Sequence, residues 1–129
     1  MPLTKPQRAF LEEVRYAVVG TLNRDRSIQQ TMVWFMLEDN DARISIGANS
    51  VKARNLRRNP TMTLTVQDGR RYLTISGAAM IEPADPDLRY RLAVRYVGRT
   101  RAEEWVLRRP TAKRVTVRIK IQRVYGQGI

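Results

Sequence analysis

The chain has 129 residues, 43% of them hydrophobic, which is enough for one domain (1–129) with a real core. It carries 24 Lys and Arg against 12 Asp and Glu, a net charge of +12, and neither His nor Cys. This excludes disulfides, thiol nucleophiles and histidine general bases, leaves carboxylates as the only metal ligands, and favours anionic partners.

Thr4–Tyr16 is predicted as a helix capped by Thr4, with Phe10, Leu11 and Val14 as its apolar stripe. Tyr16–Asn23 and Ile28–Leu37 are predicted strands, paired as a hairpin around the polar turn at 24–27. The stretch QQTMVWF (Gln29–Phe35) has two readings. Its amides and hydroxyl could meet a heteroaromatic ring against an apolar wall, or they face solvent while Trp34 lies in the core. Arg43–Gly47 alternates as a third strand.

Next comes GANSVKARNLRRNP. Ser50 is a natural N-cap and Pro60 disfavours helix at Asn59, so the spacing predicts a helix over Val51–Arg58. It carries Lys52, Arg54, Arg57 and Arg58 and no acid. Free amides at its N-terminus, the helix dipole and Lys52 would together seat a phosphate, although a solvated connecting helix has the same pattern.

Thr61–Gln67 and Tyr72–Ile81 are predicted strands joined at Asp68-Gly69, with Gly77 at a bulge or close approach. Asp87–Val97 and Arg101–Arg109 are predicted helices, the first facing inward with Leu88, Leu92 and Tyr96, the second with Trp105 and either Val106 or Leu107. Lys113–Gly126 is a final strand with Val115, Val117, Ile119 and Ile121 on its buried face. Short connections between strands imply a mainly β (α+β) fold, an antiparallel barrel with peripheral helices.

No nucleotide-binding glycine motif, serine-nucleophile elbow or metal-spaced cluster is present, so any catalysis would rest on a cofactor. Glu12-Glu13 and Glu103-Glu104 read as polar helix faces. Arg89, Arg91, Arg95, Arg99 and Arg101, and Lys113, Arg114, Arg118, Lys120 and Arg123, form two basic groups that could meet nucleic acid. They lack aromatic interleaving and any helix-turn-helix or RNP pattern. No apolar run is long enough to span a bilayer, and MPLTKPQRAF has no apolar signal segment, so a cytoplasmic location is expected.

Three stretches in order, GTLNRDRSIQQTMVWF, SVKARNLRRNP and YLTISGAAMIE, resemble the pyridoxamine 5'-phosphate oxidase-like split β-barrels, and among them the branch that binds the deazaflavin coenzyme F420. The most specific part is K-x-R-N-L-R-x-[ND]-P, matched by Lys52, Arg54, Asn55, Leu56, Arg57, Asn59 and Pro60. The resemblance implies a homodimeric F420H2-dependent reductase that passes a hydride to an organic acceptor such as an unsaturated lactone, a quinone or a tetrapyrrole. It places Lys52 on the phosphate, with Ser50 and Asn49 lining that seat. Gln30, Thr31, Met32 and Val33 fall along the ring, Arg54 and Arg58 at the coenzyme's tail or rim, and Tyr72 and the Tyr125 region on a second wall. It names no catalytic side chain and no proton donor. Two departures argue against pyridoxamine phosphate oxidation: Ser50-Val51-Lys52 stands where the oxidase has S-R-K, and the oxidase's C-terminal Arg and His signature is absent. FMN remains an alternative cofactor, and a non-catalytic cofactor carrier or nucleic-acid-binding barrel an alternative role.

Overall fold

The computed structural model describes residues 3–110 and 113–129. Seven strands, β1 (Ala17–Leu22), β2 (Ile28–Val33), β3 (Met36–Glu38), β4 (Asp41–Gly47), β5 (Thr61–Asp68), β6 (Arg71–Pro83) and β7 (Arg114–Gln127), form one sheet in the order β2-β1-β5-β6-β7-β4-β3. All six pairings are antiparallel. The two edge strands, β2 and β3, are joined by only Trp34 and Phe35. So short a link spans about 10 Å, and the sheet must curl until its edges approach. No backbone ladder closes them, which makes the barrel a split one. Among the described residues there are also four helices, α1 (Lys5–Glu12), α2 (Val51–Arg58), α3 (Pro86–Val97) and α4 (Arg99–Leu107).

The period-two pattern accounts for the core. Ala42, Ile44 and Ile46 of β4, Met62, Leu64 and Val66 of β5, and Val117, Ile119 and Ile121 of β7 all point inward, where Phe10 and Leu11 of α1 join them. At Gly77 the β6–β7 register shifts, as a bulge requires. A Cβ there would lie 1.8 Å from the Lys120 carbonyl oxygen, so no other residue fits. The turn after β5 uses Gly69 at φ +60.

Three local expectations are corrected. The first helix ends at Glu12 rather than Tyr16, and Val14 is exposed. The strand expected over Ile28–Leu37 is two strands, because the chain must cross from one sheet edge to the other at Trp34-Phe35. It is Phe35, not Trp34, that is fully buried. The Tyr96 hydroxyl substitutes for the missing ladder there, accepting from the Phe35 N–H at 3.2 Å and donating to the Arg15 carbonyl at 2.7 Å.

Much of the basic charge is spent on architecture. Arg95 donates to the carbonyls of Leu11, Glu12 and Glu13 and so satisfies the open end of α1. Buried Arg43 pairs with Glu38 at 3.1 Å and Asp85 at 3.3 Å, Arg91 with Glu38 at 3.1 Å, and Arg118 with Glu82 at 3.2 Å and Asp41 at 3.3 Å. Lys120 also reaches Asp41. No helix among the described residues is long and apolar enough to cross a membrane.

This network predicts acid lability. Desolvation opposes ionisation of Glu38, but hydrogen bonds and charge from Arg91 and Arg43 outweigh it and hold its pKa below the usual value. At Asp85 desolvation is likewise outweighed, by the Leu88 N–H and Arg43. Both carboxyls therefore add stability that is complete above the ordinary carboxylate range and disappears as pH falls through their lower folded-state values. Urea midpoints should fall below pH 4.5 in wild type and change less with pH in Arg43→Met. Parallel pH profiles would remove this network from the account.

Candidate functional site

Helix α2 is set by three local devices. The Ser50 hydroxyl accepts from the Ala53 N–H at 3.2 Å and donates to the Gly47 carbonyl at 2.7 Å, which caps the helix and ties it to the end of β4. Ala53, Asn55 and Leu56 form its buried face. Asn55 donates to Thr21 Oγ1 at 3.0 Å and Asn23 Oδ1 at 2.9 Å, stitching the helix to the β1–β2 hairpin. The Asn and Leu of the basic motif are thus packing residues. Lys52, in the first turn, is left half-buried beside an open cleft.

That cleft has a volume of about 410 Å³, within the usual range for a ligand site. It is lined by Tyr16, by Met32, Val33 and Trp34 at the end of β2, and by Ser45, Ile46 and Gly47 at the end of β4. Lys52, Arg89 and Leu92 of α3, Trp105 of α4 and Arg114 of β7 complete the lining. One side is cationic. Arg114 stands opposite Gly47 in the β4–β7 ladder and donates to the Ser45 carbonyl at 2.9 Å and to Ser45 Oγ at 3.3 Å. Burial lowers the pKa of Lys52, and the neighbouring Arg114 charge lowers it further. Burial lowers Arg114 as well, and Arg89 is lowered by burial, then by Arg114 and Arg109. Among the described residues neither Lys52 nor Arg114 has a carboxylate within ion-pair distance. Three cations crowded together and partly desolvated form a seat whose repulsion an anion relieves.

The other side is aromatic. Trp34 stacks on Tyr96 with ring centroids 4.9 Å apart and planes 6° from parallel, and meets Trp105 at 4.6 Å. Tyr16 extends the group to Tyr96 at 5.8 Å. Flat rings beside clustered cations suit a planar conjugated ligand with an anionic arm. Among the described residues the lining contains no carboxylate.

The structure brings Lys52, Met32 and Val33 together in this cleft. It places the other sequence candidates elsewhere. Ser50 is occupied as the helix cap, and exposed Asn49 accepts from Arg54 through its carbonyl. Gln30 lies on the exposed face of β2, and Thr31 points to the opposite, partly buried face, where its hydroxyl has no partner. Arg58 donates to the Leu22 carbonyl and to Asn55, and with Arg24, Arg26 and Asn23 borders a second hollow. Tyr72 pairs with Gln127 and does not line the cleft, and neither does Tyr125. Sequence reasoning missed Arg89, Arg114, Trp34 and Trp105 as lining residues. Arg89 did leave a signal, since it lies three residues before Leu92 on the apolar stripe of α3, where a charge is out of place.

A split barrel with a cationic and aromatic cleft beside a helix N-terminus defines a class of flavin-type binding folds. The chain belongs to the pyridoxamine 5'-phosphate oxidase family, whose sequence profile matches residues 3–128. It is 32% identical over 120 residues to an F420H2-dependent biliverdin reductase of Mycobacterium tuberculosis, a match covering 92% of this chain and 83% of the relative. Among solved structures it resembles an F420 reductase, with a TM-score of 0.82 and 24% identity over 95% of this chain and 98% of the other. It also resembles General Stress Protein 26 of Bacillus anthracis, with a TM-score of 0.71 and 20% identity over 92% and 88% of the two chains.

Proposed function

We propose that this protein is an F420H2-dependent oxidoreductase that reduces an organic acceptor in the Lys52 cleft. The observation that carries this reading is the meeting of Lys52 and Arg114 with the Trp34 wall in one cleft, together with the activity of the 32% identical relative. When bound, the reduced coenzyme supplies a hydride to an acceptor double bond, and a solvent proton completes the reduction. The chain itself supplies binding and orientation. Lys52 and Arg114 would hold the phosphodiester, the former from the first turn of α2. Met32 and Val33 would lie along the ring, and the aromatic side would keep water from one face of the cleft.

Side-by-side fluorescence titrations of one preparation with coenzyme F420 and with FMN test the reading. Saturable binding of coenzyme F420, tighter than FMN, is expected. The reverse order would assign the cleft to FMN, and tight binding without turnover over a panel of acceptors would make the protein a carrier.

The protein is also proposed to be a homodimer. Ile28 and Met32 are 68% and 63% exposed on the outward face of the β2 edge strand, an apolar surface that a second copy would cover. Ile28→Asp should convert a dimer to a monomer in light scattering. A wild-type monomer at micromolar concentration would remove this part of the proposal.

A further inference from the structure

The three cations of the cleft form its anion seat, and Ser45 serves that seat as well. Its hydroxyl accepts from Arg114 at 3.3 Å and its carbonyl at 2.9 Å. Among the described lining residues the other hydroxyl is that of Tyr16. Ala17, the first residue of β1, stands opposite Val33, so Tyr16 enters the cleft beside Met32, Val33 and Trp34, the side proposed for the ring. Lys52 enters from α2.

Two tyrosines meet at this end, and their hydroxyls are used differently. Tyr96 accepts from the Phe35 N–H and donates to the Arg15 carbonyl, so its hydroxyl is committed to the backbone. The Tyr16 ring rests on Tyr96 at 5.8 Å, which orients it, while the residue stays 56% exposed. Its hydroxyl makes no hydrogen bond to the described residues. It is a donor held at the cleft with its proton free for a ligand.

The chemistry of the cleft has a use for such a donor. A hydride delivered to one end of a conjugated system leaves negative charge at the other, and a carbonyl oxygen there takes that charge. A hydrogen bond to this oxygen strengthens as the charge develops, so it favours the transition state over the bound acceptor. We propose that the Tyr16 hydroxyl donates to the carbonyl oxygen of the acceptor, and that the substrate is therefore a conjugated carbonyl compound whose oxygen lies at the Tyr16 end of the cleft. Tyr16 keeps its proton in this step, and the proton that completes the reduction still comes from solvent. This inference rests on the cleft being the coenzyme site.

The test compares two probes of one shape. Coumarin is a neutral unsaturated lactone. 4-Hydroxycoumarin is an anion at neutral pH, with its charge shared between the 4-oxygen and the lactone carbonyl, as in the state after hydride addition. Both are titrated calorimetrically into protein saturated with oxidised coenzyme F420, so that the anion seat is filled. Tyr16→Phe keeps the ring and its contact with Tyr96. It should bind 4-hydroxycoumarin about 10- to 100-fold more weakly than wild type, the range of a hydrogen bond to a charged group, and coumarin less than about tenfold more weakly, the range of a neutral one. Coenzyme affinity and the urea midpoint should match wild type. With F420H2 as reductant, the loss on coumarin should fall on kcat rather than KM. Equal losses for the two probes, wild-type binding of 4-hydroxycoumarin by Tyr16→Phe, or no binding of it by wild type overturns the proposal. A loss of coenzyme affinity in Tyr16→Phe also overturns it, by assigning Tyr16 to the coenzyme. If wild type fails to bind coenzyme F420 at all, it is the underlying assignment of the cleft that falls, a result the coenzyme titration shows separately.

Discussion

Replacing Lys52 by methionine should raise the dissociation constant for coenzyme F420 by about 10- to 100-fold, equivalent to ~1.5–3 kcal/mol for a charge-assisted contact. Methionine keeps the unbranched stem, so the first turn of α2 and the capping by Ser50 are preserved and the loss reports the charge. Salt should weaken wild-type binding more than variant binding, because one fewer cation meets the ligand. The pH dependence follows from the same site. Burial and then Arg114 hold the Lys52 pKa below its ordinary value in the free protein, and a bound phosphodiester raises it. Affinity is therefore complete below the free-state pKa and declines as pH rises through it toward the bound-state value, at lower pH than for an ordinary lysine. Lys52→Met should lack that decline. Wild-type affinity in Lys52→Met would move the phosphate away from the α2 N-terminus and leave Arg114 as its principal cation.

Local chemistry made α2 readable with residue accuracy. Ser50 and Pro60 bracket Val51–Arg58 by capping and by steric exclusion, and both effects act within a few residues of sequence. Gly77 announced a close approach for the same reason, since a glycine inside a β-branched strand is out of place unless backbone comes near. The barrel was also foreseeable, because short links between alternating segments leave antiparallel pairing as the default. Its split was not. Trp34 and Phe35 read as one continuous strand with Ile28–Val33, and only the distance between the two sheet edges forces them to turn.

The binding surface followed the same division. Lys52, which does line the cleft, could be singled out because its motif is contiguous. Arg89 and Arg114 reach the cleft from segments far along the chain, and apart from the place of Arg89 on the apolar stripe of α3 nothing local distinguished them from the arginines beside them. Neighbouring Arg91, Arg95 and Arg118 turned out to brace carboxylates and a helix end. Ten basic residues that looked like two patches are thus divided by tertiary structure into cleft, brace and surface. The excess charge of +12 measures none of these roles individually. Trp34 showed the opposite difficulty: one of the two readings of its stretch put it in the core, whereas its place is the aromatic side of the cleft.

Asn55→Ala is expected to destabilise the fold by about 2–3 kcal/mol, more than the removal of any of the exposed arginines of α2. The asparagine is buried, and its side-chain amide nitrogen donates to Thr21 and Asn23 of the β1–β2 hairpin while its side-chain Oδ1 accepts from Arg58 at 2.8 Å. Alanine would leave the buried Thr21 hydroxyl unpaired, open a small void beneath α2 and free Arg58 from one of its two anchors. The urea midpoint should fall with an unchanged denaturant slope, which marks a loss of stability rather than a change of unfolded state. Arg58→Ala is the control. Its side chain is exposed and its loss should cost less than about 1 kcal/mol. The two results together distinguish the packing part of the basic motif from its charged part. If Asn55→Ala and Arg58→Ala shifted the midpoint equally, the helix would be held by Ala53 and Leu56 alone, and the asparagine of the motif would need a role in the cleft that its buried position does not give it.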